Sequence, residues 1–135
     1  MDRFYHAGAP AYQREKFKPI EDGSKYAEYG RCLKPYGGFW GTPEGAPEFD
    51  ITGKRDSGFW FTLAPSAKVL HVYDSEELIK ALRRRPSWDR RPVWVWMVSR
   101  WDAVWVHKLD GNLCHTGWDI ESIVVLNPDV VVAPA

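Results

Sequence analysis

The sequence predicts a mixed α+β fold: several short strands, one or two helices and long loops in the first half. Three observations carry that expectation. Short runs of β-branched and aromatic residues recur through the second half of the chain. One amphipathic, well-capped helix lies between two of these runs. Residues 35–58 are crowded with glycine and proline, the composition of loops.

Phe4-Tyr5-His6-Ala7-Gly8 reads as a short aromatic strand ended by glycine and then Pro10. The stretch to about Lys34 is polar with weak periodicity, so loop is expected there, with one short helix around Ser24–Tyr29. Pro35, Gly37, Gly38, Gly41, Pro43, Gly45, Pro47, Gly53 and Gly58 then predict loops, with Phe39-Trp40 as an extended island. So long a loop region in a small domain reads as functional or mobile rather than structural. Phe59–Leu63 and Val69–Tyr73 are β-rich and bounded by turn residues, and read as strands. Asp74 suits an N-cap, Glu77 stands three residues on, and Leu78, Ile79 and Leu82 supply an apolar face. Arg83, Arg84 and Arg85 suit the helix C-terminus, and Pro86 ends it. Residues 92–98 fit either state: their valines favour a strand, whereas Pro92 can open a helix. Ala103–His107 and Ile120–Leu126 are strands, with Asp110-Gly111 a turn between them. Asn127-Pro128-Asp129 turns the chain into a last short strand at Val130–Val132.

Composition bounds the function. A length of 135 residues suits one domain, 1–135. Eighteen basic and eighteen acidic side chains cancel, which excludes the whole-molecule basic surface of an electrostatic nucleic-acid binder. Aromatics make up 15% of the chain, with eight Trp, and such rings either fill a core or stack on planar ligands. Cys32 and Cys114 are too few for a disulfide scaffold. No apolar N-terminal run or membrane-length segment is visible, so a cytoplasmic location is expected.

Familiar catalytic signatures are missing. There is no Cys-x-x-Cys or His-x-x-x-His, and Cys114-His115 cannot wrap an ion alone, so no metal is expected. Neither a nucleophile elbow nor a phosphate-binding glycine fingerprint occurs. Arg83, Arg84, Arg85, Arg90 and Arg91 form a basic cluster that reads as a solvated helix end or as a contact for an acidic partner. Glu121 opens an almost wholly apolar run, where a carboxylate must find a partner, a cleft or solvent.

Three separated segments share a resemblance. Phe4-Tyr5-His6-Ala7-Gly8, Gly37-Gly38-Phe39-Trp40-Gly41-Thr42-Pro43 and Trp118-Asp119-Ile120-Glu121-Ser122 are similar, in this order, to the His, aromatic and Glu elements of ADP-ribosyltransferases. The order is that of the diphtheria-toxin and PARP-like branch. Val69–Tyr73, Leu78 and Trp101–Val104 also resemble small bacterial and phage members. The resemblance implies two small packed β-sheets with one to three short helices and NAD in the cleft between them. It implies transfer of ADP-ribose from NAD to a macromolecule, in a toxin-like or phage–host conflict role. Glu121 would be catalytic, accepting from the ribose 2′-hydroxyl and stabilising the oxocarbenium-like transition state. His6 would hold a ribose hydroxyl, the backbone of Ala7 and Gly8 the carboxamide, and Trp40 would stack on nicotinamide with Thr42 lining the same wall. Asp119 would meet the acceptor, with protein favoured over nucleic acid. Trp40 stands where that branch usually carries Tyr, and Ala7 where Gly is common. A non-catalytic module of the same fold and an NAD glycohydrolase are the rivals.

Overall fold

The computed structural model describes residues 2–21, 35–45, 57–91, 93–107 and 121–134. Eight strands and two α-helices run through these residues. The strands are β1 (Phe4–Ala7), β2 (Lys18–Glu21), β3 (Tyr36–Pro43), β4 (Gly58–Leu63), β5 (Val69–Val72), β6 (Ala103–Val106), β7 (Ser122–Val125) and β8 (Val131–Val132). The helices α1 (Ser75–Arg83) and α2 (Val93–Val98) both lie between β5 and β6. The fold is therefore mixed α+β, as composition and pattern predict. It is built on one continuous curled sheet in the order β5-β6-β7-β3-β1-β4-β8, with β2 added to β3, rather than on two separate sheets.

Most of the strong local signals became the elements they announce. The Asp74 carboxylate accepts from Glu77 N–H at 2.8 Å and caps α1. The Glu77 carboxylate reaches one residue further back than a capping box and accepts from Tyr73 N–H at 2.9 Å. Of residues 92–98, Val93–Val98 form a helix despite three valines. The helical period brings Trp94 and Met97 onto one apolar cluster with Leu78 and Leu82 of α1, which outweighs β propensity. Since α1 and α2 form the crossover, β5 and β6 run parallel, while the other paired strands are antiparallel.

The largest correction concerns residues 36–43. Glycine density predicts loop with a two-residue island, yet these residues form β3, an eight-residue strand at the middle of the sheet. Its glycines mark close approach and a bulge rather than disorder of the strand. Gly37 and Gly38 take φ +76° and +77°, and a Cβ on Gly38 would stand 2.9 Å from Val124 Cγ2. At Gly41 a Cβ would meet the Phe61 ring at 2.6 Å. The segment Lys18–Glu21, expected as loop, is β2, an edge strand that tolerates Pro19 because it pairs on β3 alone. Ser24–Tyr29 and Asp110-Gly111 lie outside the described residues, as do Cys32, Cys114, Trp118 and Asp119. β7 begins at Ser122, and Val130 belongs to a short 3-10 turn rather than to the last strand.

The sheet is buried on both faces. Val104, Val106, Val124 and Leu126 join the helices in one cluster, with Trp40 packed at its margin. Ile123, Val125 and Ala103 point the other way, into a cluster built around Phe4, Phe39, Phe59 and Phe61. Alternation along β7 therefore sends neighbouring side chains to opposite cores, which explains why its four residues are all apolar or buried.

Candidate functional site

The described residues of the three segments picked out in the sequence lie on or directly beside neighbouring strands. In the sheet, β7, β3 and β1 are consecutive, although residues 4–8, 37–43 and 121–126 are far apart in the chain. The register Gly41↔Ile123 joins β3 to β7, and Phe4↔Pro43 and Tyr5↔Thr42 join β1 to β3.

Beyond Tyr5↔Thr42 the β1–β3 pairing stops. In the opened gap a His6 ring nitrogen, Nδ1, lies 2.7 Å from the Trp40 carbonyl oxygen. A carbonyl only accepts, so Nδ1 carries the proton and neutral His6 presents Nε2 as an acceptor. Tyr5, His6, Ala7, Trp40, Gly41 and Thr42 line a depression of about 180 Å³ along this split. Four of the residues expected at NAD are thus neighbours. Gly8 follows at φ +102°, but its N–H is already donated to the Ser57 carbonyl at 2.7 Å.

The side chains do not all share one face. His6 stacks on Phe39 at 4.2 Å between ring centres and packs against Phe59, so its ring belongs to the aromatic face. Trp40, one residue after Phe39, points to the helix-covered face and donates its Nε1–H to the Gly37 carbonyl at 3.0 Å. The ring beside His6 is consequently Phe39, not Trp40. Strict alternation through Gly37–Pro43 would have shown this, had the segment been read as a strand. A second cavity, about 190 Å³, opens beside His6 between Phe39, Phe59, Tyr12 and Phe17.

Glu121 stands apart from this split. It precedes β7, and the register places it beside Pro43, at the end where β1 and β3 are still paired. Its side chain is 16% exposed and lines a cavity of about 240 Å³ with Asp2, Arg3, Glu44 and Trp105. Arg3 is engaged there: its Nη2 and Nε reach the two oxygens of Glu44 at 2.7 and 2.9 Å. Each holds the other's charge, so Glu44 lies below the usual carboxylate range and Arg3 above its ordinary value. The His107 Nδ1 atom lies 3.4 Å from Glu121 Oε1. Sequence reasoning missed His107 and its neighbour His71, because only strand pairing brings residues 71 and 107 together.

Comparisons with protein-family models, with curated proteins and with solved structures return no match. Site chemistry therefore rests on the geometry above.

The basic cluster divides. Arg91 forks onto buried Asp89 through Nε and Nη2, and this holds the Asp89 carboxyl down at about 2. Arg85 donates to the Arg91 carbonyl. Two of the five cations therefore fix the loop after α1. Among the described residues there is no group of three or more metal-ligating side chains. None of the described helices is long and apolar enough to cross a membrane.

Proposed function

We propose that this protein transfers ADP-ribose from NAD to a macromolecular acceptor, with protein favoured over nucleic acid. One observation carries the reading: β1 and β3 part after Tyr5↔Thr42, and the split is lined by His6, Ala7, Trp40 and Thr42. A cleft between diverging strands offers backbone groups to a carboxamide and His6 Nε2 to a ribose hydroxyl. It needs no glycine-rich phosphate loop. Glu121, one residue before the strand next to β3, supplies the carboxylate that accepts from the ribose 2′-hydroxyl as positive charge develops on the sugar. NAD serves as donor substrate, and the reaction asks for no metal.

A second reading is favoured by one specific fact. Glu121 and the split open into different cavities, as a non-catalytic binding module of similar sequence would allow. Incubation with NAD labelled in its adenylate half, alone and with protein or RNA acceptors, separates the two. Label transferred to protein, with nicotinamide released in equal amount, supports the transferase. Label on water alone makes it a glycohydrolase. Binding of NAD with no nicotinamide release establishes the module.

A further inference from the structure

A chain of three side chains runs along the rim of the aromatic face. Glu121 Oε1 is 3.4 Å from His107 Nδ1, and His107 Nε2 is 2.8 Å from His71 Nδ1. The parallel register His71↔Trp105 on β5 and β6 brings the two imidazoles together, and β7 delivers the carboxylate. The rings are held by stacking: Trp105 on His107 at 4.3 Å and His107 on Tyr73 at 4.4 Å.

The proton positions follow from chemistry. A carboxylate, when ionised, can only accept, so Glu121 at 3.4 Å favours the Nδ1–H form of His107. Burial, reinforced by His71, holds His107 below its ordinary value, so it is neutral at pH 7. Its Nε2 is then a lone pair, and among the described residues the donor 2.8 Å away is His71 Nδ1–H. The neutral form of His71 then carries a bare Nε2. Free neutral histidine favours the opposite tautomer, so this arrangement is imposed by the chain. The same logic lets a carboxylate orient a metal-bound or catalytic imidazole.

His71 is exposed and lines a cavity of about 190 Å³ with Asp2, Phe4, Leu63, Pro65 and Trp105. This cavity adjoins that of Glu121, because Asp2 and Trp105 wall both. Trp105 forms part of the wall of both cavities, and its Nε1–H is buried with no acceptor among the described residues.

We propose that His71 is a general base for an acceptor hydroxyl, such as a Ser, Thr or Tyr side chain seated in its cavity, with the charge it gains shared through His107 to Glu121. The hydroxyl as nucleophile rests on the ADP-ribosyl-transfer reading; the proton-accepting end at His71 does not. In the step, the acceptor O–H breaks and its proton passes to His71 Nε2. The oxygen bonds to C1′ of the ribose, and the C1′–N bond breaks with its electron pair leaving on neutral nicotinamide. Cationic His71 then returns the proton to solvent. Among the described residues, the charged and titratable groups around the relay are Asp2, Arg3, Glu44 and Tyr73.

Nitrogen NMR of the imidazoles in the intact protein at pH 7 tests the relay without NAD. Both His71 and His107 are expected as Nδ1–H tautomers. Nε2–H on His71 overturns the proposal whatever the protein does with NAD. The second measurement is ADP-ribose transfer to a hydroxyl-bearing peptide. His71→Ala should lower it by about 10²–10⁴ at unchanged NAD affinity, and added imidazole should restore part of it. Equal transfer by His71→Ala and wild type overturns the base, whereas a wild type that never releases nicotinamide overturns the transferase reading and leaves the NMR result to decide the relay.

Discussion

The two faces of the sheet are built from the same strands but do different work. One is covered by α1 and α2, and its cluster of aliphatic residues with Trp94, Trp96 and Met97 is closed. On the other, no α-helix packs among the described residues, and four phenylalanine rings join Ala103, Ile123, Val125 and Val130 in the cluster. The ring of His6 and the side chains of His71, His107 and Glu121 all lie on or around that second face. The difference teaches where chemistry can sit in so small a fold. A helix-covered face must be apolar to its margin, whereas a face closed by large rings leaves gaps at its rim, and polar groups can occupy them with partners.

The largest expected effect tests how much the rings hold the second face. Phe61 is fully buried and lies across Gly41, so Phe61→Ala should cost about 3–5 kcal/mol in denaturant unfolding. A loss under about 1 kcal/mol would mean that this face is not a packed core, and the comparison would fail. Next comes chemistry at the rim. Glu121→Gln keeps size and removes charge, and kcat for ADP-ribose transfer should fall by about 10²–10³ with NAD affinity and melting temperature little changed. Wild-type turnover in that variant would remove Glu121 from catalysis.

Trp40 probes the boundary between the faces, since its ring packs toward the helices while its backbone lines the split. If the ring also meets nicotinamide, Trp40→Ala should weaken NAD binding by about 1–3 kcal/mol, read by titration. Unchanged affinity with a lower melting temperature assigns the ring to helix-face packing alone. The smallest effect is a pH dependence. Burial and His71 hold His107 below its ordinary value of about 6.5, so the folded state binds this proton less readily than the unfolded chain. The stability linked to His107 is complete above about pH 6.5 and is lost as pH falls through the depressed value. Replacing His107 with Phe should flatten that part of the stability–pH curve, and a curve of unchanged shape would show that His107 titrates normally.

Local chemistry was the legible part. Asp74, the apolar spacing of Leu78 and Leu82, and the arginines before Pro86 specify α1 within a few residues, because capping, amphipathicity and termination act over one or two helical turns. The strands β4, β5, β6 and β7 were equally readable from their β-branched and aromatic runs. β3 was not, because glycine in a loop and glycine under a crossing ring are the same letter. Only the position of Phe61 over Gly41 makes it a strand residue. The helix at residues 93–98 was undecided for a related reason: Val95 and Val98 prefer a strand, and only the place of Trp94 and Met97 among the residues of α1 settles the state.

The sequence by itself determined the α+β class, the capped helix, and three separated segments that deserve to be considered together. Tertiary structure decided that β1, β3 and β7 are neighbours, that Phe39 rather than Trp40 faces His6, and that His71 and His107 meet. The reason is the range of the forces involved. Propensity and capping are read by neighbours in the chain, whereas strand order and register depend on pairings between residues far apart, and shifting a register by one residue sends every side chain to the opposite face.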